Sequence, residues 1–331
     1  MEPKTFLITG GAGFIGSHLA DSLLAAGHRV VALDNLATGS EANLAGARRH
    51  PGFRLVRGSV LDPLVLDEVT AGCDAVVHLA AAVGVRLVME RPRHSFLTNI
   101  HGTEAVLDAA LRYRRPVLVA SSSEIYGKNA SGPLTEDSDR VLGSPAVTRW
   151  SYASSKVVDE ILALTGHREL GLAAVVVRFF NTVGPRQSPA YGMVVPRLVH
   201  QALAGRPLTV HGDGSQRRCF LHVADAVRAL TGLLAEPAAV GQVFNIGTPE
   251  EISIRDLAHR VVERCGSDSP VVNVSHREVY GEGFEDMERR QPDTGRLRAL
   301  TGWTPRLTLD DILDETIAEA RAALMPAPVP A

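Results

Sequence analysis

The chain has 331 residues, 45% of them hydrophobic, which supplies apolar matter for one large α/β unit or two domains. A net charge of -3 with scattered arginines argues against nucleic acid or an anionic membrane as a partner, and leaves open only a local basic site for a small anion. Three distant cysteines, Cys73, Cys219 and Cys265, with no C-x-x-C suggest neither a disulfide framework nor a zinc site, so no metal is expected. No apolar run reaches membrane-spanning length and no leader-like segment precedes the first apolar run, so the expected location is the cytoplasm.

The first element is a buried strand over 5–9, followed at once by Thr9-Gly-Gly-Ala-Gly-Phe-Ile-Gly16 and then by Ile15, Leu19 and Leu23 at helical spacing. Gly11, Gly13 and Gly16 fit the G-x-G-x-x-G pattern, in which glycines allow a tight turn, close approach of backbone to a pyrophosphate, and close packing of helix on strand. The phosphates would sit on the helix N-terminus. A second strand, 29–34, ends in Asp34, eighteen residues past Gly16 (34 minus 16), where an acid is expected to accept from the adenosine ribose hydroxyls. The same carboxylate would repel a 2′-phosphate, which selects NAD over NADP. Strands are further predicted over 53–57, 75–79, 116–121 and 173–179, and helices over 62–71, 95–113 and 152–168. This alternation predicts an α/β fold with a doubly wound parallel sheet.

Beyond Asn181 the alternation loosens. Pro185, Pro189, Pro196 and Pro207 interrupt it, and short strands are predicted over 208–211 and 242–246 with helices between. The expected division is a dinucleotide-binding part over 1–180 and a mainly substrate-binding domain over 181–324 whose chain can cross back to the sheet. The tail 325–331, rich in proline, is expected to be disordered.

Tyr152 and Lys156 lie four apart at the start of a helical pattern, so both face one side and an ammonium can stand near a phenol. Such a cation, with a bound nicotinamide cation, favours the phenolate that a tyrosine needs to act as a base. A serine at a strand end, as in Ser121-Ser122-Ser123-Glu124-Ile125-Tyr126-Gly127, can equally cap a turn.

Taken together, Thr9 to Gly16, Asp34, Tyr152 and Lys156 resemble the extended short-chain dehydrogenase/reductase superfamily, whose Rossmann-fold members mostly act on nucleotide sugars; the resemblance runs from about residue 4 to 320. The Ser123-Glu124 pair, Arg149-Trp150-Ser151-Tyr152, and Tyr280-Gly281-Glu282-Gly283-Phe284-Glu285-Asp286 leading to Arg290-Gln291-Pro292 resemble its UDP-glucuronic acid decarboxylases, including UDP-xylose synthase and the decarboxylase domain of the lipid A aminoarabinose pathway. The resemblance implies NAD held by Gly10, Gly11, Gly13, Phe14, Ile15, Gly16, Asp34, Asn35, Ser59, Val60, Leu79, Ala80, Asn99, Tyr152 and Lys156. It implies a UDP-sugar held by Val83, Ser123, Arg149, Asn181, Arg218, Phe284 and Arg290, with Ser122, Glu124, Tyr152, Lys156 and Arg290 as the catalytic set.

In the implied reaction the 4-hydroxyl is oxidised, the 4-ketone acts as electron sink for loss of carbon dioxide, and Glu124 with Arg290 manages the proton at C5. The product would be UDP-xylose or a released UDP-4-keto-pentose. A nucleotide-sugar 4-epimerase is the alternative enzyme, a 4,6-dehydratase a third, and an NAD-sensing scaffold protein the non-enzymatic one. The resemblance also implies a homodimer built on the helices near 95–113 and 152–168. Three departures stand out. Ser59 replaces an aspartate usual near the adenine, Val88 replaces a tyrosine common by the substrate, and Val83 and Ser123 stand where an apiose-forming branch has cysteines, which speaks against ring contraction.

Overall fold

The computed structural model describes residues 2–282 and 284–324; the predicted tail at 325–331 lies outside the described residues. Strands β1 (Thr5–Thr9), β2 (Arg29–Asp34), β3 (Phe53–Arg57), β4 (Ala75–His78), β5 (Val117–Ser122) and β6 (Ala174–Phe179) build most of the central sheet. Its helices in chain order are α1 (Phe14–Ala25), α2 (Pro63–Ala71), α3 (Val85–Glu90), α4 (Pro92–Arg112) and α5 (Ser151–Leu170). Helix α4 begins three residues before the predicted start because Pro92 occupies its first turn, where a missing N–H costs nothing.

After β6 come β7 (Thr182–Val183), α6 (Val194–Leu203), β8 (Leu208–His211), β9 (Arg217–Cys219), β10 (Leu221–His222) and α7 (Val223–Leu234). Then follow β11 (Val243–Ile246), β12 (Glu251–Ser253), α8 (Ile254–Cys265), β13 (Val271–Val274), α9 (His276–Tyr280), β14 (Arg289–Arg290), α10 (Gly295–Thr301) and α11 (Leu309–Leu324).

The central sheet has the order β11-β6-β5-β4-β1-β2-β3 and every pairing in it is parallel. The strand expected at 242–246 thus joins this sheet, in register Phe244↔Val177, as its seventh strand. Because side chains alternate across a strand, Phe6 and Ile8 pack with Leu19, Leu23, Leu230 and Phe244 on one face, and Leu7 packs with Val76, Val106 and Val119 on the other. A separate core joins α6, α8 and α11 through Leu198, Val199, Leu257, Val261, Ile312 and Ile317. The order of strands reverses between β1 and β4, so their carboxyl ends diverge into a crevice, the expected place for a ligand in such a sheet. Among the described residues no helix is long and apolar enough to cross a membrane, and no cluster of His, Cys, Asp and Glu could hold a metal.

Candidate active site

The crevice opens into a cavity of about 1050 Å³ that runs from the glycine loop, past the ends of β4 and β5, to residues of the α6, α8, α9 and α11 region. Its floor is the strand-to-helix turn after β1. A Cβ on Gly16 would stand 2.3 Å from the Gly10 carbonyl oxygen, and one on Gly11 would stand 2.6 Å from the Ala32 Cβ, so each glycine is required by packing inside the turn. Gly10 adopts a positive φ of 70° with the backbone of Ala80 directly beside it. Helix α1 starts at Phe14 with no side-chain cap and no acid in its first turn, so its first amides compete with no carboxylate.

Those amides, with Asp34, fit a dinucleotide. Asp34 accepts from Ala12 N at 2.9 Å and from Leu36 N at 2.8 Å; the carboxylate therefore fixes the loop as well as facing the cavity. Gly10, Gly13, Phe14, Ile15, Gly16, Asn35, Ser59, Val60, Leu79 and Ala80 all line it. Gly11 and Asn99 stand behind the lining: the Asn99 amide accepts from Ala82 N at 2.7 Å and donates to Ser155 Oγ at 3.2 Å, tying the 80–84 segment to α5. Ser59 accepts from Leu61 N at 3.1 Å, which fixes its own turn.

At the carboxyl end of β5, Ser122 accepts from Glu124 N at 3.2 Å and so caps a short 3-10 turn over Ser123–Tyr126. The same hydroxyl faces the Tyr152 phenol and favours its ionised form. The capping and site readings of this serine therefore both hold. Tyr152 and Lys156 lie on the buried face of α5. Burial raises the pKa of the phenol, and Lys156 and Ser122 offset this only in part, so it remains above its usual value. Lys156 thus favours the phenolate as expected, and burial is the larger opposing cause. The Lys156 ammonium donates to the Ala120 carbonyl and to Asp159 Oδ2, both at 3.0 Å; burial opposes its charge, but Asp159 and the nearby phenol outweigh burial and raise its pKa.

Beyond Tyr152 the cavity becomes basic. Glu124 accepts from both terminal nitrogens of Arg149, at 2.5 and 3.1 Å, and pairs with Arg290 at 3.5 Å. Burial would push its carboxyl up, yet Arg149, Arg290 and Arg218 hold it at about 2. Arg290 donates to Asn181 Oδ1, while its Nε and Nη1 are buried with no hydrogen-bond partner among the described residues. Burial, reinforced by Arg218 and Arg149, brings Arg290 down to about 10 against the pull of Glu124. Arg218 pairs with Asp286 at 3.0 Å. Three guanidiniums thus share two carboxylates, and this corner of the cavity keeps an excess positive charge suited to an anion.

At the outer end Phe284 stacks on Tyr280 with centroids 4.1 Å apart, and His276 stacks on Phe284 at 5.4 Å. Every predicted catalytic and substrate residue, Val83 and Ser123 included, lines this one cavity, whereas Val88 is buried in α3 outside the lining. Sequence reasoning missed Arg197, His211, His276 and Tyr280 as lining residues, and Asp159 as the partner of Lys156. Tyr280 lay inside a motif already singled out; the others gave no pattern from which to read them.

Comparison with known proteins agrees with this geometry. A model of the NAD dependent epimerase/dehydratase family matches residues 6–247. The UDP-N-acetyl-alpha-D-glucosaminuronate decarboxylase of Bacillus cytotoxicus is 40% identical over 95% of this chain and 97% of its own length. The UDP-glucuronic acid decarboxylase 1 of Danio rerio is 36% identical over 96% of this chain and 72% of its own. The dTDP-glucose 4,6-dehydratase of Streptomyces venezuelae, solved with NAD bound, superimposes with a TM-score of 0.87 at 32% identity, over 96% of this chain and 97% of that one. NAD is accordingly the cofactor, and the chain belongs to the NAD dependent epimerase/dehydratase family.

Proposed function

We propose that the protein decarboxylates a UDP-linked hexuronate, UDP-glucuronate or its 2-acetamido analogue, through a 4-keto sugar. The observation that carries this reading is Glu124 clamped between Arg149 and Arg290 within reach of Tyr152 in one buried cavity. The relatives from Bacillus cytotoxicus and Danio rerio, both decarboxylases of UDP-uronates by name, support it.

When bound, NAD supplies the acceptor for the hydrogen at C4 and a positive charge near the phenol; the α1 amides and Asp34 are the groups that would hold it. Tyr152 takes the 4-hydroxyl proton, Ser122 hydrogen-bonds that oxygen, and Lys156 holds positive charge beside the phenol. With C4 a ketone, the C5–C6 bond breaks and its electron pair moves into an enolate over C4 and C5, whose oxygen stays with Ser122 and Tyr152. Carbon dioxide leaves. Glu124 is ionised across the neutral range, so Arg290 is the proton-bearing member of the pair, and its Nε and Nη1, which make no hydrogen bond among the described residues although Nη1 stands 3.5 Å from Glu124, are the donors for C5. The net charge of the arginine and carboxylate cluster suits a substrate carboxylate or diphosphate without three unopposed cations trapping it. Tyr280, Phe284 and His276 offer flat faces for a nucleobase.

Incubation with NAD and UDP-glucuronate, and separately with the 2-acetamido analogue, tests the reading by product mass: a UDP-pentose lighter by carbon dioxide, if the hydride returns to C4, or a UDP-4-keto-pentose lighter by a further two hydrogens with one NADH left behind, if the ketone is released, supports it. An isomer of equal mass would favour the 4-epimerase, which the oxidation residues Ser122, Tyr152 and Lys156 would serve equally well. Bound NAD without turnover on a panel of UDP-, dTDP- and GDP-sugars would favour a sensing role. We extend the proposal to a cytoplasmic homodimer paired through α4 and α5, whose mass in solution at micromolar concentration would be twice the 35.4 kDa of the chain; a monomer mass would refute it.

A further inference from the structure

Helix α5 buries three charged side chains on its inner face, and they are not equivalent. Glu160 is fully committed: it takes Arg178 in a two-pronged contact at 2.7 and 2.8 Å and accepts from Ser121 at 2.5 Å. Lys156 lies one turn before it. Asp159, with no exposed surface, accepts from Lys156 Nζ at 3.0 Å through Oδ2, while its Oδ1 is buried and has no hydrogen-bond partner among the described residues. A buried carboxylate left half-satisfied is costly, and its one polar contact is the ammonium that serves the phenol, whose buried charge it balances.

We propose that Asp159 is a positioning residue for the oxidation step: its carboxylate fixes the Lys156 ammonium against the Ala120 carbonyl and offsets part of the charge that Lys156 presents to Tyr152. The inference rests on the reading of Tyr152 as the base. The groups facing this pair are few. From α5 they are Tyr152, Asp159 and the arginine-bound Glu160; from β5, the Ala120 carbonyl and Ser122; from the turn beyond, Glu124; and from β4, His78, kept neutral between Thr9 and Thr103. Within that set Lys156 favours the phenolate, and Asp159 and Glu124 oppose it. Removing the Asp159 charge therefore makes the phenol easier to ionise, opposite to the effect of removing Lys156. A role in folding alone predicts no such pair of opposite shifts.

The test is a titration of Tyr152 in the NAD-loaded protein carrying tyrosine labelled with carbon-13 at Cζ, with Tyr152→Phe assigning its signal among the five tyrosines. Asp159→Asn is expected to move the midpoint down by about one pH unit, the size of a unit charge several ångströms away in a partly polar interior. Lys156→Met is expected to move it up. Asp159→Ser, small and neutral, carries the same expectation as Asp159→Asn if the latter does not fold. An unchanged or raised midpoint in the folded neutral variant overturns the proposal, as does failure of both neutral variants to fold, which would assign Asp159 to stability. With UDP-glucuronate as probe, the acid limb of the first-turnover absorbance at 340 nm should move with the midpoint. If the wild type gives no 340 nm signal, the proposed reaction fails while the titration still judges Asp159.

Discussion

Replacing Glu124 by glutamine separates loss of carbon dioxide from simple oxidation at C4. The substitution keeps the shape of the side chain but removes the charge that accepts from Arg149 at 2.5 and 3.1 Å and pairs with Arg290 at 3.5 Å. Three guanidiniums then face only Asp286, so the substrate anion is held more tightly, and Arg290 loses the ion that orients it. Losing a positioned charge of this kind should lower UDP-pentose formation roughly a hundredfold, about 2.7 kcal/mol in the barrier. Tyr152, Ser122 and Lys156 are untouched, so oxidation should survive better than the overall reaction. The assay is rapid mixing with UDP-glucuronate and NAD, following absorbance at 340 nm for the first step and product mass for the whole. Breaking a buried ion pair also costs stability, on the order of 3–5 kcal/mol, so NAD affinity and the thermal midpoint are measured alongside to show that the variant is folded. Turnover within about tenfold of wild type would refute the reasoning, because a 4-epimerase needs no chemistry at C5 or C6.

Tyr152→Phe should keep NAD affinity and lose nearly all turnover, since it removes the base and leaves the glycine turn intact; a tenth of wild-type rate would count against the role. Asp34→Ala should weaken NAD and relax discrimination against NADP, because the carboxylate that would meet the ribose also holds Ala12 and Leu36; equilibrium titration with both cofactors reads this, and unchanged NAD affinity contradicts it. Burial holds His78 at about 3, far below its unfolded value of 6.5, so its contribution to stability is complete above pH 6.5 and is lost as pH falls toward 3. Chemical denaturation at pH 7.5 and pH 5.5 should therefore differ by about 1.4 kcal/mol from this group, and His78→Asn should flatten that slope; an equal slope in the variant would remove His78 as the cause.

What could be read from the sequence was local. The glycine turn, the acid closing β2 and the Tyr152–Lys156 pair are set by spacings of a few residues, and the strands of the central sheet are nearly continuous apolar runs. The seventh strand was harder to place, because Val243–Ile246 reaches β6 only after about sixty intervening residues and its partner cannot be inferred from periodicity. The basic corner was legible only by resemblance. Glu124, Arg149, Arg218 and Arg290 come from four separate segments, and nothing in their spacing says that Arg149 takes Glu124 while Arg218 takes Asp286. The net shift of Tyr152 was out of reach for a related reason: an i, i+4 pair reveals the neighbouring cation, which does favour the phenolate, but not the burial that outweighs it. Asp159, three residues past Lys156, reads in a sequence as one more charge on a solvated helix face, yet its surface is wholly buried.

The most direct test of the proposed decarboxylation is the reaction of the NAD-loaded protein with UDP-glucuronate in heavy water, with the product examined by mass spectrometry and proton NMR. The mechanism requires that carbon dioxide leave C5 and that a solvent-derived hydron take its place. The expected product therefore carries one deuterium at C5: a UDP-pentose lighter than the substrate by carbon dioxide when the hydride returns to C4, or a UDP-4-keto-pentose lighter by two further hydrogens when the ketone is released, before the label is counted. A UDP-hexuronate of unchanged mass, inverted at C4 and free of deuterium at C5, would contradict the decarboxylase and establish the epimerase.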